Sequence, residues 1–544
     1  MLFCCHENLS PFTLWLPLFL YAEIHYRLRP LPNRLFMREP EILFDAPTRI
    51  DPGHSLPIML LIKDAHRFPA ELSELTLRVV RDGQTIVHHQ EKLAHFVDAP
   101  LWHAIYEIPL PPGTAGGLQI HTSLRVHING RSRTVVTDNY RRTRHAPLRV
   151  FADPDPLPGS EWYDFGELHF HSHLTDDQVE FGAPIAAAAR LAGAQGFSFL
   201  AVTDHSYDLD DRVDNYLQND ANLPKWEELH RIVNMLNSQN DSFVVIPGEE
   251  LSVGNGHGRN VHLLILNHDR FWTGTGDSAE KWLKNKPQHR IPEVLAELPD
   301  QALALAAHPM IRPQALERWI FNRDRWLAAD LDHPRLDGFQ VWNGLEDGAF
   351  TDGLAAWRDR LLAGGSAVLT AGNDAHGNFN YCRQIHVPFW SMRELDYKAF
   401  GRVRTGVVRG EGCLNKAGIL ATLKSGAAMI SNGPAARLRL VDVDGRLYGL
   451  GETCSNAVAS AQIDAASSRQ YGGLDFIHLF IGDREDKKEI RRTFFMHPAD
   501  SYHQTLSLNG LPLPRRGYVR LQVVSQKGVK KYSGYTNPVF IERA

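Results

Sequence analysis

Over residues 40–150 apolar and polar residues alternate in short runs: LPIMLLIKD, LTLRVVRDGQTIVHH, LWHAIYEIPL, LQIHTSLRVHI and GRSRTVVTDNY. Turn signals such as Arg81-Asp82-Gly83 and Pro111-Pro112-Gly113 separate them. A period of two that breaks at Gly and Pro predicts strands, and about six of them in this length predict a β-sandwich. The Pro-rich stretch Ala152-Asp153-Pro154-Asp155-Pro156-Leu157-Pro158-Gly159 then reads as a rigid linker. From about 160 to 430 the pattern switches to strand–helix alternation. Strand candidates are FGELHFH, FSFLAVTDH, SFVVIPGEE, NVHLLIL, ALALAAHP, GFQVWNG and AVLTAGNDAH. Helical periodicity fills the gaps in PIAAAARLAGA, PKWEELHRIVNMLNS, a region around 278–298, PQALERWIFNRDRWLAA and GLAAWRDRLLA. Such β–α repeats predict a largely parallel sheet, open or closed into a barrel. Residues 431–544 return to alternating strands and predict a second small sandwich. The expected fold class is α/β. Its domains are a poorly defined segment 1–36, an N-terminal β-sandwich 37–150, a barrel-like unit 160–430 and a C-terminal β-sandwich 431–544.

Composition narrows the function classes. With 58 basic against 63 acidic residues the chain carries a net charge of −5, which gives no electrostatic reason to expect nucleic acid or an anionic membrane as partner. The cysteines Cys4, Cys5, Cys382, Cys413 and Cys454 are scattered, without a CxxC pair. Neither a thiolate zinc site nor a disulfide framework is indicated, and a reducing, cytoplasmic compartment is expected. The apolar run at 11–22, PFTLWLPLFLYA, is interrupted by Pro17 and too short to span a bilayer. It also lacks a basic leader, so it reads as an untidy N-terminus, with secretion left open.

The 27 histidines change the picture, because those in the middle region fall at strand ends. In His169-Phe170-His171 two imidazoles two residues apart on an extended strand face one point, with Asp176 five residues further on. His205 follows Thr203-Asp204, Glu250 closes Pro247-Gly248-Glu249-Glu250, His308 precedes Pro309, and Asp374 and His376 close the last strand candidate. His262 departs from the pattern, lying near the start of its run. Each has an ordinary alternative: a capping turn for His205, a pre-proline conformation for His308, an N-cap for Asp374. Taken together, His169, His171, Asp176, His205, Glu250, His262, His308, Asp374 and His376 would crowd imidazoles and carboxylates into one cleft, which is costly without cations. Nine N/O ligands exceed one tetrahedral ion and suit two or three divalent metals, with Glu250 bridging a pair. Zinc, manganese and iron all accept such a set. Paired ions activate water and clamp the oxygens of a displacement, which predicts hydrolysis, most naturally of a phosphate ester.

The order HxH…Asp, TDH, PGxE, a His before an apolar strand, AHP and NDAH, over roughly 165–380, resembles the PHP (polymerase and histidinol phosphatase) superfamily. Val341-Trp342-Asn343-Gly344 and Leu423-Lys424-Ser425-Gly426…Ser431-Asn432-Gly433-Pro434 resemble its carbaryl-hydrolase-like branch. The resemblance implies a distorted (βα)7 barrel with metals at its C-terminal mouth. It implies one metal on His169, His171, Glu250 and Asp374, a second on Glu250, His262 and His308, and a third on Asp176, His205 and His376. Asp177 stands beside Asp176, Glu249 beside Glu250, and His257 competes with His262, while His173 is expected to stay outside the ligand set. His169, His171, Glu250, Asp374 and His376 would carry catalysis. Arg259, Arg312 and Arg383 are candidate anion-binding groups, Arg383 preferred, and Asn343 either binds substrate or caps a turn. The expected activity is a phosphoesterase in which metal-bound hydroxide attacks a small-molecule ester. The alternatives are a carbamate, carboxylic ester or amide hydrolase, and a metal-stabilised binding protein without catalysis.

Overall fold

The structure, a computed structural model, describes residues 39–139, 145–175, 182–274, 276, 285–313, 315–380, 384–387, 390–393, 398–496 and 501–543. The apolar run at 11–22, Asp176, Asp177, Arg383 and three of the cysteines (Cys4, Cys5, Cys382) lie outside the described residues.

The strands of the middle region lie side by side in chain order: Tyr163–Glu167, Phe199–Val202, Val244–Gly254, Asn260–Leu266, Leu303–Ala307, Gly338–Asn343 and Val368–Gly372. All run parallel except Asn260–Leu266, which is antiparallel to both neighbours. A tight Asn255-Gly256-His257-Gly258 turn reverses the chain: the Asn255 side chain accepts from the backbone N of His257 and of Arg259 at 3.0 Å each. This accounts for the odd position of His262. In a reversed strand the first residues, not the last, sit at the end where the parallel strands finish. Val244–Gly254 and Asn260–Leu266 are buried along their whole length, which is why their sequences read as unbroken apolar runs.

The helices Ile185–Ala194, Pro224–Gln239, Ile291–Glu297 and Gly348–Leu362 fall between these strands. The Ala-rich first one buries Ile185, Ala187, Ala188, Leu191 and Ala192. The stretch expected as one helix over PQALERWIFNRDRWLAA is instead two short helices, Ala315–Ile320 and Ala328–Leu331. The break is at Asn322, whose φ of 54° leaves the helical region and whose side chain donates to Gly258 O at 3.0 Å. Asn260 N in turn donates to Asn322 O at 2.9 Å, so tertiary tethering to the reversed hairpin overrides helical propensity here.

The hydrogen-bond path of the main sheet does not close among the described residues. The outer edge of Tyr163–Glu167 pairs antiparallel with Arg404–Val408, and the sheet continues through Ala428–Ser431 and Lys530–Thr536 to Gly473–Asp483. Side chains and a short ladder nevertheless join the two ends of the strand series. The Thr405 hydroxyl accepts from Ala371 N and donates to Ala371 O, both at 2.9 Å. Phe170 and His171 pair in parallel with Ala375 and His376.

On the N-terminal side, Glu41–Asp45, Leu56–Lys63 and Leu101–Ile108 form one antiparallel sheet. Ala70–Arg81, Gln84–Val97, Gly116–Ile128 and Leu148–Ala152 belong to another. The two share a core in which Ile58, Leu60 and Ile62 meet Leu75, Leu77, Val79 and Leu124. Their alternate neighbours Met59 and Leu61 face the other way, into the core that holds helix Ile185–Ala194. One strand thus serves two cores, and LPIMLLIK is apolar on both faces for that reason. Near the C-terminus a sheet of Ala435–Asp442, Val458–Ala466 and His503–Asn509 packs on the far part of the main sheet through Leu438, Leu440, Ile463, Leu479 and Leu521. No helix among the described residues is long and apolar enough to cross a membrane.

Asn537, fully buried, bridges the last strand of the series to this region. It accepts from Leu369 N at 2.7 Å and donates to Leu369 O at 3.1 Å and Ala428 O at 2.9 Å. Asn537→Ala strips the side-chain partner from both backbone groups of Leu369, while Ala428 O keeps the backbone N of residue 537, and is expected to lower unfolding free energy by roughly 1–3 kcal/mol. Urea denaturation followed by circular dichroism measures it, and a loss below about 0.5 kcal/mol would contradict this role.

Candidate metal centre

The strand Tyr163–Glu167 ends by turning its last carboxylate inward. Buried Glu167 accepts from His169 N at 2.9 Å and Asn373 N at 3.0 Å and also binds the Asn373 side chain, so it fixes the two segments that lead into the site. Burial pushes its carboxyl up to about 7. Asp204 performs the same task one strand over. It accepts from Ser172 N at 2.6 Å, Ser172 Oγ at 2.7 Å, Thr175 N at 3.1 Å and Thr175 Oγ1 at 2.8 Å, folding the turn after His171 onto the second strand. Gly372 lets these segments approach: a Cβ there would stand 2.5 Å from the Cβ of His169.

Glu250 is the hub. Its Oε1 lies 2.8 Å from His262 Nδ1, 3.2 Å from His308 Nε2 and 3.3 Å from His169 Nε2. Its Oε2 lies 3.0 Å from His205 Nδ1 and 3.4 Å from His171 Nε2. Asp374 Oδ1 stands 3.1 Å from His171 Nε2 and 3.4 Å from His169 Nε2, and the two Nε2 atoms are 3.2 Å apart. The His376 ring stacks on His171 at 4.2 Å, and His205 is tilted against His171 at 4.3 Å, 5.9 Å from His376. His308 and Asp374 hold positive φ values of 29° and 52°, a conformation that costs on the order of 1–3 kcal/mol in a non-glycine residue. His308 follows directly on Leu303–Ala307 and Asp374 comes two residues after Val368–Gly372, so both turn into the cluster as their strands finish.

Three overlapping groups can hold metal ions: His169, His171, Glu250 and Asp374; Glu250, His262 and His308; and His171, His205 and His376. Ligands about 2.0–2.2 Å from a tetrahedral zinc stand roughly 3.3–3.6 Å from one another. The contacts within the first group, 3.1–3.4 Å, match that spacing. The donor set is also incomplete as a hydrogen-bond network. Buried His171 Nδ1 and His205 Nε2 have no hydrogen-bond partner among the described residues. The residues therefore fit divalent cations.

Electrostatics agree. Burial raises the carboxyls of Glu250 and Asp374, but the surrounding imidazoles outweigh it for Glu250 and Lys398 with His169 outweighs it for Asp374, leaving both well below the ordinary range. Burial lowers His169, yet Glu250 and Asp374 hold it up at about 9. Burial and His171 keep His376 well below the ordinary value, and burial with His205 lowers His171. His169 Nδ1 lies 3.1 Å from Gln340 Oε1, which also accepts from His308 N at 3.1 Å. As an acceptor, the amide oxygen holds the proton on Nδ1 and leaves Nε2 to face Glu250 and Asp374, the arrangement that orients metal-ligating histidines.

All the expected ligands among the described residues come together. Glu250 and Glu249 point to opposite sides of their strand. Glu249 is buried near Trp272 N and His268, and burial pushes its carboxyl well up. His257 is exposed on the hairpin turn, away from the cluster. Asn343 Nδ2 donates to Asp374 Oδ2 at 3.1 Å, so it positions a candidate ligand. Arg259 is 3.6 Å from Asp324, and exposed Arg312 pairs with Asp352 at 2.6 Å. Residues not anticipated are Glu167, Asp204, Gln340 and Lys398, whose Nζ sits 2.8 Å from Asp374 Oδ2. The buried amide in the apolar run Gly338-Phe339-Gln340-Val341-Trp342 was the one signal available for Gln340. From the cluster a cleft of about 720 Å³ opens past His262, His308, Asp374 and Lys398. Met310, Ile311, Trp326, Leu345 and Phe350 form its apolar wall.

No protein-family model matches the sequence, and no curated protein matches it. Among solved structures, a β-glucuronidase of glycoside hydrolase family 2 aligns over 95% of this chain and 63% of its own, with 8% identity and a TM-score of 0.19. A putative β-galactosidase from Bacteroides fragilis aligns over 92% and 73%, with 9% identity and a TM-score of 0.20. The Parabacteroides merdae β-glucuronidase aligns over 93% and 64%, with 8% identity and a TM-score of 0.19. This chain thus spans less than two thirds of the glucuronidases, and likenesses at this level define neither a common fold nor a common activity.

Two outcomes are expected. Gln340→Met keeps the volume but removes the acceptor, and should weaken metal binding about 10–100-fold with the fold intact, by isothermal titration calorimetry and circular dichroism. The second concerns pH. With its pKa raised to about 9, protonated His169 stabilises the metal-free protein below the ordinary histidine value of 6.5, and that contribution is lost as pH rises through about 9. A cation at Nε2 displaces that proton, so zinc affinity should rise from about pH 6.5 to about pH 9, with proton release. Calorimetry in buffers of different ionisation enthalpy measures both, and a pH-independent affinity would contradict the assignment.

Proposed function

We propose that this chain is a metal-dependent hydrolase of the PHP type, acting on a small phosphate ester at a centre of two or three divalent metals. The observation that carries the reading is the overlap of two ligand groups through the two oxygens of Glu250, with His205 and His376 gathered beside them around His171. Overlap brings cations close enough to act on one substrate, whereas a structural ion needs only a closed set of its own. The order of the sequence motifs along the strand series supports the PHP assignment.

Divalent ions bound here supply Lewis acidity and lower the pKa of water. The chain's own residues do the rest. Glu250 bridges the groups, and Asp374 is held by Asn343 and Lys398 so that its other oxygen faces His169 and His171. His376, kept neutral by burial and by His171, can accept a cation or a proton. The charge of two or three divalent ions exceeds that of Glu250 and Asp374, leaving the mouth net positive and suited to an anionic ester. Lys398 lines the cleft and adds to that charge. A second reading, hydrolysis of an aryl carbamate or carboxylic ester, is favoured by the apolar wall of Met310, Ile311, Trp326, Leu345 and Phe350.

The test is turnover of p-nitrophenyl phosphate, bis(p-nitrophenyl) phosphate and 1-naphthyl carbamate by protein of measured metal content. The phosphate esters are expected to be hydrolysed. His169→Ala/His171→Ala should lose metal and reduce kcat/KM by more than the roughly 10–100-fold typical of losing a supporting partner. Turnover of the carbamate alone would select the second reading. Full metal occupancy without any turnover would mean that the metals stabilise a binding protein.

A further inference from the structure

Behind the Asn343–Glu346 segment, on the side away from the metal cluster, lies a second cavity of about 930 Å³, bounded by the N-terminal, middle and C-terminal parts of the chain. Its lining carries Arg49, Arg149, Arg402, Arg404, Lys530 and Lys531 against the acids Asp138 and Glu346. Asp138 already faces His145 at 3.2 Å, and burial pushes the Glu346 carboxyl up. Arg49 is answered by Asp51 and by Asp153. Arg404 is not. The residue is 1% exposed, Asp51 acts on it only from beyond salt-bridge distance, no carboxylate pairs with it directly among the described residues, and its Nε has no hydrogen-bond partner. Nη2 donates to Gly433 O at 2.5 Å, Nη1 reaches the Tyr471 hydroxyl only at 3.5 Å, and the guanidinium lies over the rings of Phe165 and Tyr471 at 5.0 and 5.4 Å.

An arginine keeps its charge in the protein interior, and a buried cation without a counter-ion is costly. Stacking on aromatic rings offsets part of that cost but leaves the Nε–H unused. A phosphate or carboxylate group at the cavity face of the guanidinium would supply the close counter-charge that Asp51 provides only at longer range, in the fork geometry that guanidinium matches. The cavity is larger than an inorganic anion requires and falls within the range of small-molecule sites. Pro147, Leu148, Leu345 and the half-buried Tyr532 on its wall give the organic part of such an anion apolar contact.

We propose that this cavity is a second binding site, separate from the metal centre, for a small ring-bearing organic anion whose phosphate or carboxylate group pairs with Arg404. Calorimetric titration with phenylphosphonate, benzoate and inorganic phosphate, none of them a hydrolysable ester, tests it and separates phosphate from carboxylate recognition. One of the two ring-bearing anions is expected to bind the wild-type protein at one site, more tightly than inorganic phosphate. The same binding is expected in His169→Ala/His171→Ala, which removes the competing metal cluster. Arg404→Met should weaken it by at least about tenfold, with circular dichroism and metal content unchanged. If Arg404→Met does not fold, Lys530→Glu/Lys531→Glu at the exposed rim should weaken binding and flatten its salt dependence. The proposal fails if no anion binds the wild-type protein, or if folded Arg404→Met binds as tightly as wild type. Loss of binding in His169→Ala/His171→Ala would also overturn it, by placing the anion on the metals.

Discussion

One carboxylate in contact with five imidazoles is the constraint around which the middle of this protein is arranged. Glu250 is 1% exposed and stands within 3.4 Å of ring nitrogens of His169, His171, His205, His262 and His308. Protonating one or two of the rings would satisfy its charge, but the remaining rings would then face each other with lone pairs or unmatched protons. Cations resolve both problems, since each accepts several lone pairs at once and carries the charge that Glu250 and Asp374 require. Bringing so many ligands to one point is itself costly. Two positive-φ residues and several fully buried polar groups are concentrated here, as expected where function rather than stability selects the geometry.

The fold meets that constraint mainly through strand direction. Parallel strands deliver their C-terminal residues to one end, which brings in His169, His205, His308 and Asp374 as each strand finishes. The reversed strand Asn260–Leu266 would place a C-terminal ligand at the wrong end, and its ligand, His262, is accordingly near its beginning. The supports behind the ligands come from the same strands. Glu167 ties the first strand end to the last, Asp204 ties the turn after His171 to the second strand, and Gln340 serves His169 and His308 together. A change in any of these buried supports therefore acts on more than one ligand.

The candidate ligands among the described residues were legible in the sequence because each lies in a short motif, and imidazoles and carboxylates that recur at successive strand ends converge on one cleft. The supports were not, because an acid such as Asp204 or an amide such as Gln340 reads locally as a turn residue or a stray polar group. Only the partner 29 to 171 residues away reveals its role. Motif spacing selected Glu250 over the adjacent Glu249, and strand alternation gives the physical difference between them by sending Glu250 to the imidazoles and Glu249 toward Trp272. The alternating runs located the strands, and burial on two faces is why LPIMLLIK resembles a core strand inside a sandwich edge. The pattern did not reveal that one sheet runs from the middle region into the C-terminal strands, since pairing partners are not encoded in periodicity. The helix broken at Asn322 failed for a related reason, its hydrogen bonds to the hairpin being invisible in local propensity.

The same electrostatic reasoning applies, with the sign reversed, on the other side of the Asn343–Glu346 segment. There the buried group is a guanidinium, and the cavity beside it has more cations than anions on its walls. Buried salt bridges contribute little net stability, but a buried charge with no partner is destabilising, so two such centres in one chain are best understood through what they bind. Arg49 shows that the chain can neutralise an arginine in this neighbourhood, using Asp51 and Asp153. Its neighbour Arg404 has been given aromatic faces and a carbonyl instead. Leu345 lines both cavities, and Asn343 at the start of the same segment holds Asp374. The two cavities are therefore separated by one short segment of chain, which faces the metal cluster at Asn343 and the basic cavity at Glu346.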